Sequence, residues 1–191
     1  MPSTAARRTG KLNPAALRRK LAAVRLLAVD VDGVLTDGGL YYADDGSQLR
    51  KFNSRDGMGL QLVRKAGVEV VIVTASRAQA IAVRGRDLGL RYVRIGVEDK
   101  LAAVRDVADG LGVPLAFVAH IGDDLNDLPV FAAAGLALTV ADATTAAKRA
   151  AHFIARAKGG EGAVRELCEL ILAARAPAAK TRPARKRKPR A

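Results

Sequence analysis

The chain has no tryptophan, one cysteine, two histidines and 4% aromatic residues among 191. Each scarcity excludes something. A lone thiol, Cys168, closes no intramolecular disulfide, so a cystine-stapled secreted scaffold is ruled out and Cys168 reads as a small buried hydrophobe of the last helix. With so few rings, the core has to be built from Ala, Val, Leu and Ile, as in a parallel sheet packed under helices. No apolar run approaches the ~18 residues of a membrane span, and no apolar signal segment follows Met1. The expectation is a protein of the reducing cytoplasm with no membrane partner. Hydrophobic residues make up 50% of the chain, which excludes disorder throughout and suits one domain with extensions.

Acidic residues are missing from both ends. Residues 1–25 hold seven cations and residues 176–191 another seven, with no Asp or Glu in either segment. The remaining 18 cations face all 19 acids, so the net charge of +13 belongs to the ends and the body carries about −1. A basic folded surface for nucleic acid is therefore not expected. Polyanions would be met only through the tails, by a salt-dependent attraction, and solvated extensions without a dedicated partner are the simpler reading. The expected division is a basic extension with a short helix over 1–24, one domain over 25–175, and a low-complexity tail over 176–191 that is too poor in apolar residues to fold.

What is present is concentrated in Leu27-Ala28-Val29-Asp30-Val31-Asp32-Gly33-Val34-Leu35-Thr36-Asp37-Gly38. An apolar strand delivers two carboxylates, two residues apart, into a glycine-containing turn. Side chains at i and i+2 of a strand share a face, so Asp30 and Asp32 would repel unless a cation, a proton or a bend separated them. Capping of the next turn is the alternative use of such a pair.

The remaining pattern alternates helix and strand. Asn13-Pro14 opens a helix, residues 25–32 read as a strand, and two short runs around Asp44-Asp45-Gly46-Ser47 read as a hairpin flap over about 39–52. Then follow a helix from Ser54 to Lys65, a strand over 68–74, a helix over 77–88, a strand over 92–95 and a helix over 98–111. A strand over 116–121, a helix over 125–134 and a fifth strand over 136–140 complete the series. This predicts an α/β fold with a doubly wound parallel sheet, whose ligand site lies off the carboxyl ends of the strands. Thr74, Lys100 and Gly122-Asp123-Asp124-Leu125-Asn126-Asp127 fall at that edge. Several carboxylates, an ammonium and a hydroxyl on one rim suit Mg²⁺ and a phosphate.

These four segments, in this order and spacing, resemble the four motifs of the haloacid dehalogenase superfamily of phosphatases. The small flap, Asn53-Ser54-Arg55-Asp56-Gly57 and Gly159-Gly160-Glu161-Gly162-Ala163-Val164-Arg165-Glu166 further resemble its capless branch, which acts on 3-deoxy-D-manno-octulosonate 8-phosphate in lipopolysaccharide synthesis. The resemblance spans about residues 24–175. It implies Asp30 as nucleophile, Asp32 as acid and base, Thr74 and Lys100 on the phosphate, and Mg²⁺ held by Asp30, the Asp32 carbonyl and Asp123. Asp124 and Asp127 would support Lys100 and the metal's waters.

One departure stands out. Thr74-Ala75-Ser76-Arg77 occupies the place of the family's usual Thr-Gly-Arg, which displaces the arginine by one position. Arg77 or Arg84 would then reach a substrate carboxylate, with Asp56, Gly57 and Arg165 as further substrate contacts, Arg165 across a subunit interface. The resemblance implies a homotetramer in which a neighbour's flap and C-terminal segment close each site, and a phosphorylated sugar acid as substrate. The alternatives are a phosphatase of another acidic sugar, such as a nine-carbon keto-deoxy acid, and a noncatalytic module of the same fold with nucleic-acid-binding tails.

Overall fold

The computed structural model describes residues 11–176; the basic C-terminal tail and the first ten residues, with Arg7 and Arg8, lie outside them. In chain order the elements are α1 (Pro14–Ala22), β1 (Leu26–Val29), β2 (Tyr41–Tyr42), β3 (Gln48–Leu49), α2 (Ser54–Lys65), β4 (Glu69–Val73), α3 (Gln79–Asp87), β5 (Tyr92–Arg94) and α4 (Lys100–Gly110). Then come β6 (Val118–Ile121), α5 (Leu128–Ala133), β7 (Leu136–Thr139), α6 (Thr145–Ala150), β8 (Phe153–Ile154) and α7 (Ala163–Arg175).

Six strands form one parallel sheet in the order β5-β4-β1-β6-β7-β8. From β1 the chain winds outward through β4 and β5, then crosses back to β6 on the other side, so the direction reverses beside β1. The central strand shows why this sequence needs cover on both faces. Leu27 and Val29 join one core with Val70, Ile72 and Ile121, while Leu26 and Ala28 join a second with Val71, Val73 and Val104 of α4. Alternate residues of a strand point to opposite faces, and here both faces are apolar.

Register sets the site. Val29 pairs with Ile72 on one side and with Ile121 on the other. The three strands therefore end level, and Asp30, Thr74 and Asp123 leave the sheet at one edge.

The doubly wound sheet and its flap match the sequence reading, with four differences. A sixth strand, β8, and the helix before it, α6, occupy residues 145–154, where no element was read; β8 is two residues long and carries almost no periodic signal. The helix read over 125–134 is a 3₁₀ turn at Leu125–Asp127 followed by α5. Pro129 has no N–H to give and fits only a first helical turn, which starts α5 there. The strand read from 116 begins at Val118, after a 3₁₀ turn at Leu115–Phe117. Finally, α1 is part of the domain rather than an extension: Leu21 is buried in the core, and Arg175 of α7 donates to the carbonyls of Ala22 and Val24. Cys168 is buried in α7 as expected, and burial pushes its thiol up.

Candidate active site

Four elements converge on the carboxyl edge. The end of β1 presents Asp30, whose N–H continues the ladder to the Ile121 carbonyl while its Oδ1 accepts from the Val31 N–H at 2.7 Å. Asp30 Oδ2 accepts from Lys100 Nζ at 2.6 Å. Lys100 is the first residue of α4, which Asp99 caps, and its side chain is buried between Asp30 and Asp127 Oδ1, 2.7 Å away.

Asp127 is the most heavily engaged carboxylate. Its Oδ1 also meets His120 Nε2 at 2.8 Å, and its Oδ2 accepts from the N–H groups of Asp123 at 3.0 Å and Asp124 at 3.2 Å. It thereby folds the loop after β6 into shape. A side chain at 122 would collide with the Asp127 carboxyl, which is why a glycine stands there. Asp124 does not join Lys100 as expected; its Oδ1 caps the 3₁₀ turn by accepting from the Leu125 N–H.

His120 is a site residue the sequence reading missed. It lies on the apolar strand β6, wholly buried, with Nδ1 3.2 Å from the Ala28 carbonyl and its ring edge-on to Phe131. The one signal in the sequence was a histidine among Val118, Ala119 and Ile121, with no neighbour in sequence to show what it meets.

Burial and crowding set the charges. Asp30 is raised to about 6, by burial first and Asp127 second, against the pull of Lys100. Asp123 is raised to about 7 by burial and then by the charges of Asp30 and Asp127. Burial also pushes Asp127 upward, but hydrogen bonds and charge from His120 and Lys100 outweigh it and hold the group well below the carboxylate range. Lys100 loses by burial and gains more from Asp30 and Asp127, so it is raised and charged.

Three carboxyls crowded together, two of them raised by burial and like charge, form a site whose negative charge a divalent cation would neutralise. Oxygens of Asp30, Asp123 and Asp127 lie within 4.8 Å of one another. An all-oxygen set of this charge, without thiolate or imidazole, fits Mg²⁺. Asp127 carries two donors on each of its oxygens, whereas Asp30 carries one on each, so Asp30 and Asp123 are the side chains with acceptor capacity left to hold the ion. Gly33, at φ +83°, belongs to the same site: a Cβ there would lie 2.2 Å from Asp123 Oδ2. The turn itself is tied by Thr36 Oγ1, which donates to the Val31 carbonyl and accepts from the Gly33 and Gly38 N–H groups.

Asp32 points away from this cluster to the flap, where Arg50 Nε donates to its Oδ1 at 2.7 Å. Thr74 is buried at the end of β4, its hydroxyl oxygen accepting from the Ser76 N–H at 3.1 Å, which leaves the hydroxyl proton for a ligand.

The expected substrate contacts are placed differently. Asp56 is buried and accepts from the N–H groups of Gly162 and Arg165, so it caps α7, whose first residues have no cap of their own. Burial raises it despite those bonds. Arg165 donates to Glu169 one turn on. Arg84 packs against Gly57 and the Phe52 ring and donates to the Asn53 carbonyl. Arg77 lies against Gly96. None of the four meets the Asp cluster within this chain. A cavity of about 660 Å³ lies at the opposite edge of the sheet, lined by Arg25, Arg64, Lys65 and Glu69, and no residue of the acidic cluster lines it.

A buried carboxylate beside a lysine, an acidic pocket for a hard cation and a hydroxyl at the reversal point of a doubly wound sheet define a metal-assisted phosphoryl-transfer hydrolase. Comparison with known proteins specifies the kind. Residues 93–167 match the model of the haloacid dehalogenase-like hydrolases. The 3-deoxy-D-manno-octulosonate 8-phosphate phosphatase of Yersinia pestis is 43% identical over 156 residues, 82% of this chain and 83% of that protein. A solved structure of that Yersinia pestis phosphatase superposes with a TM-score of 0.82 at 42% identity, over 84% of this chain and 86% of the other. The phosphatase of Moraxella catarrhalis, solved with a magnesium ion, a phosphate ion and a KDO molecule, gives 0.83 at 35% identity, over 85% and 93%. The chain belongs to this family of phosphatases within the haloacid dehalogenase-like hydrolases.

Proposed function

We propose that the protein is a Mg²⁺-dependent phosphomonoesterase that releases phosphate from 3-deoxy-D-manno-octulosonate 8-phosphate in the cytoplasm, through an aspartyl phosphate on Asp30. The observation that carries this reading is the Asp30–Lys100–Asp127 chain, buried and level with Asp123 and Thr74, in a protein 43% identical to a relative named for that activity. Bound Mg²⁺ would draw charge from the phosphate oxygens and the carboxylates that hold it.

The residues divide the work. An Asp30 oxygen forms a bond to phosphorus as the bond to the sugar oxygen breaks, and Asp32 supplies the proton that the departing alkoxide needs. Asp32 then takes a proton from a water whose oxygen bonds to phosphorus, freeing Asp30 and inorganic phosphate. Lys100 holds Asp30 in line and meets the phosphate's charge, while the Thr74 hydroxyl donates to a phosphate oxygen. Asp127, clamped by His120 and two backbone N–H groups, keeps Lys100 in place.

Recognition of the sugar falls to groups around this edge, with Arg77, Arg84 and Arg165 as cations for the carboxylate, Arg165 from a neighbouring copy. The flap supports such an assembly: Leu40, Tyr41, Tyr42 and Leu49 are exposed together, an apolar surface that a second copy of the chain would cover in a tetramer. Phosphate release from a panel of sugar-acid phosphates with and without Mg²⁺ tests the reading. The eight-carbon acid is expected to give the highest kcat/KM. Preference for a nine-carbon acid would move the substrate assignment, and no Mg²⁺-dependent turnover of any member would overturn the function.

A further inference from the structure

Arg50 is deeply placed in a flap whose other large side chains, Tyr41, Tyr42 and Leu49 among them, are mostly exposed. Its side chain is 2% exposed, although Tyr42 and Leu49 beside it are 64% and 61% exposed. A flap arginine with nothing to do would lie in water, since burying a guanidinium is costly unless its donors are met. Here they are met. Nε donates to Asp32 Oδ1 at 2.7 Å, Nη2 reaches Asp32 Oδ2 at 3.5 Å, Ser76 Oγ at 3.3 Å and Gln48 Oε1 at 3.2 Å, and Nη1 donates to the Leu49 carbonyl at 3.1 Å.

The second anchor is the residue that makes the Thr74-Ala75-Ser76-Arg77 segment unusual. Ser76 Oγ accepts from Arg50 and from the Ala78 N–H, while the Ser76 N–H donates to Thr74 Oγ1. One guanidinium thus ties the flap to the carboxylate after β1 and, through Ser76, to the hydroxyl that ends β4. Asp32 has reason to need such a tie: its side chain is 30% exposed and is free of the Lys100 cluster that fixes Asp30 and Asp127.

We propose that Arg50 is a positioning residue through which the flap fixes the direction of the Asp32 carboxylate, with Ser76 linking that contact to Thr74. This rests on the reading of Asp32 as the acid that protonates the departing alkoxide. The flap is then part of the proton-transfer apparatus as well as a cover. A bidentate fork on a planar carboxylate restricts orientation more than a point charge would, so lysine at this position should restore only part of the effect.

The test separates positioning from general damage by the leaving group. An alkoxide needs a proton as it departs, whereas p-nitrophenolate leaves without one. First-turnover rates are measured with Mg²⁺ for wild type, Arg50→Gln, Arg50→Lys and Asp32→Asn, on 3-deoxy-D-manno-octulosonate 8-phosphate and on p-nitrophenyl phosphate. Arg50→Gln is expected to slow the sugar phosphate by ~10- to 100-fold while nitrophenol release stays within about twofold, and Arg50→Lys to recover part of the loss. Equal slowing of both substrates, or no slowing, with Asp32→Asn still leaving-group dependent, overturns the role of Arg50 alone. Absence of leaving-group dependence in Asp32→Asn overturns the acid role of Asp32 and this inference with it.

Discussion

The carboxyl edge of the sheet and the flap beside it are built on opposite plans. At the edge, Asp30, Lys100, His120 and Asp127 are buried and each is held by at least two partners. In the flap, two strands of two residues pair at Tyr41–Leu49 and Tyr42–Gln48, with large apolar side chains in solvent. The edge carries chemistry that tolerates no rearrangement, because an unpaired charge there has no water to turn to. The flap is proposed to help decide which molecule enters, and Arg50 is the side chain by which it reaches Asp32. Rate should therefore respond to changes at the edge, and selectivity to changes in the flap.

The largest effect is expected from Asp30→Asn. Turnover should fall at least ~10³-fold, because an amide cannot form the acyl phosphate. The fold should persist, since Lys100 keeps Asp127. Lys100→Met should cost ~10²-fold in kcat and also ~3–5 kcal/mol of stability, as two buried carboxylates lose their cation. Steady-state kinetics and urea melts check both; a Lys100→Met variant of full stability would contradict the account of the buried pair.

A milder effect comes from pH. In the metal-free protein, Asp30 and Asp123 are raised to about 6 and about 7, from ordinary carboxylate values in the unfolded chain. The folded form thus binds protons more tightly than the unfolded one, so these groups reduce stability as pH rises from about 4 to about 7. Held by the ionised pair, Mg²⁺ would reverse that cost. The gain in Tm on adding Mg²⁺ should be larger at pH 8 than at pH 5, with proton release on binding near pH 6 measurable by calorimetry in two buffers. The smallest effect on the chemistry belongs to Tyr41→Ser with Tyr42→Ser. Turnover of p-nitrophenyl phosphate should stay within about twofold, while light scattering should report a smaller assembly than the proposed tetramer and KM for the sugar phosphate should rise.

This division also decided what could be read from the chain. The places of the Asp30 turn, Thr74, Lys100 and Asp123 were legible because each ends a strand or opens a helix whose apolar pattern is strong. Their convergence then follows from winding rules. His120 and Arg50 were not legible, since each acts across 7 to 92 residues of sequence on a partner that only the fold brings near. The bonds of Asp56 were hidden for the same reason. Its place in Asn53-Ser54-Arg55-Asp56-Gly57 suggested a ligand contact, while in the chain itself it caps α7, 106 to 109 residues away. The two-residue strands β2, β3 and β8 sit at the limit of what period-2 alternation can signal; the flap was found through Asp45-Gly46, and β8 had no such turn to mark it.

The central claim is that Asp30 carries the phosphoryl group. Acid quench of the Mg²⁺-loaded enzyme within its first turnover of 3-deoxy-D-manno-octulosonate 8-phosphate, followed by peptide mass spectrometry, tests it most directly. The account predicts the mass of one phosphoryl group on the peptide containing Asp30 in wild type and none in Asp30→Asn. A phosphoryl group on any other residue, or product formed in the burst with no labelled peptide at any quench time, would contradict it.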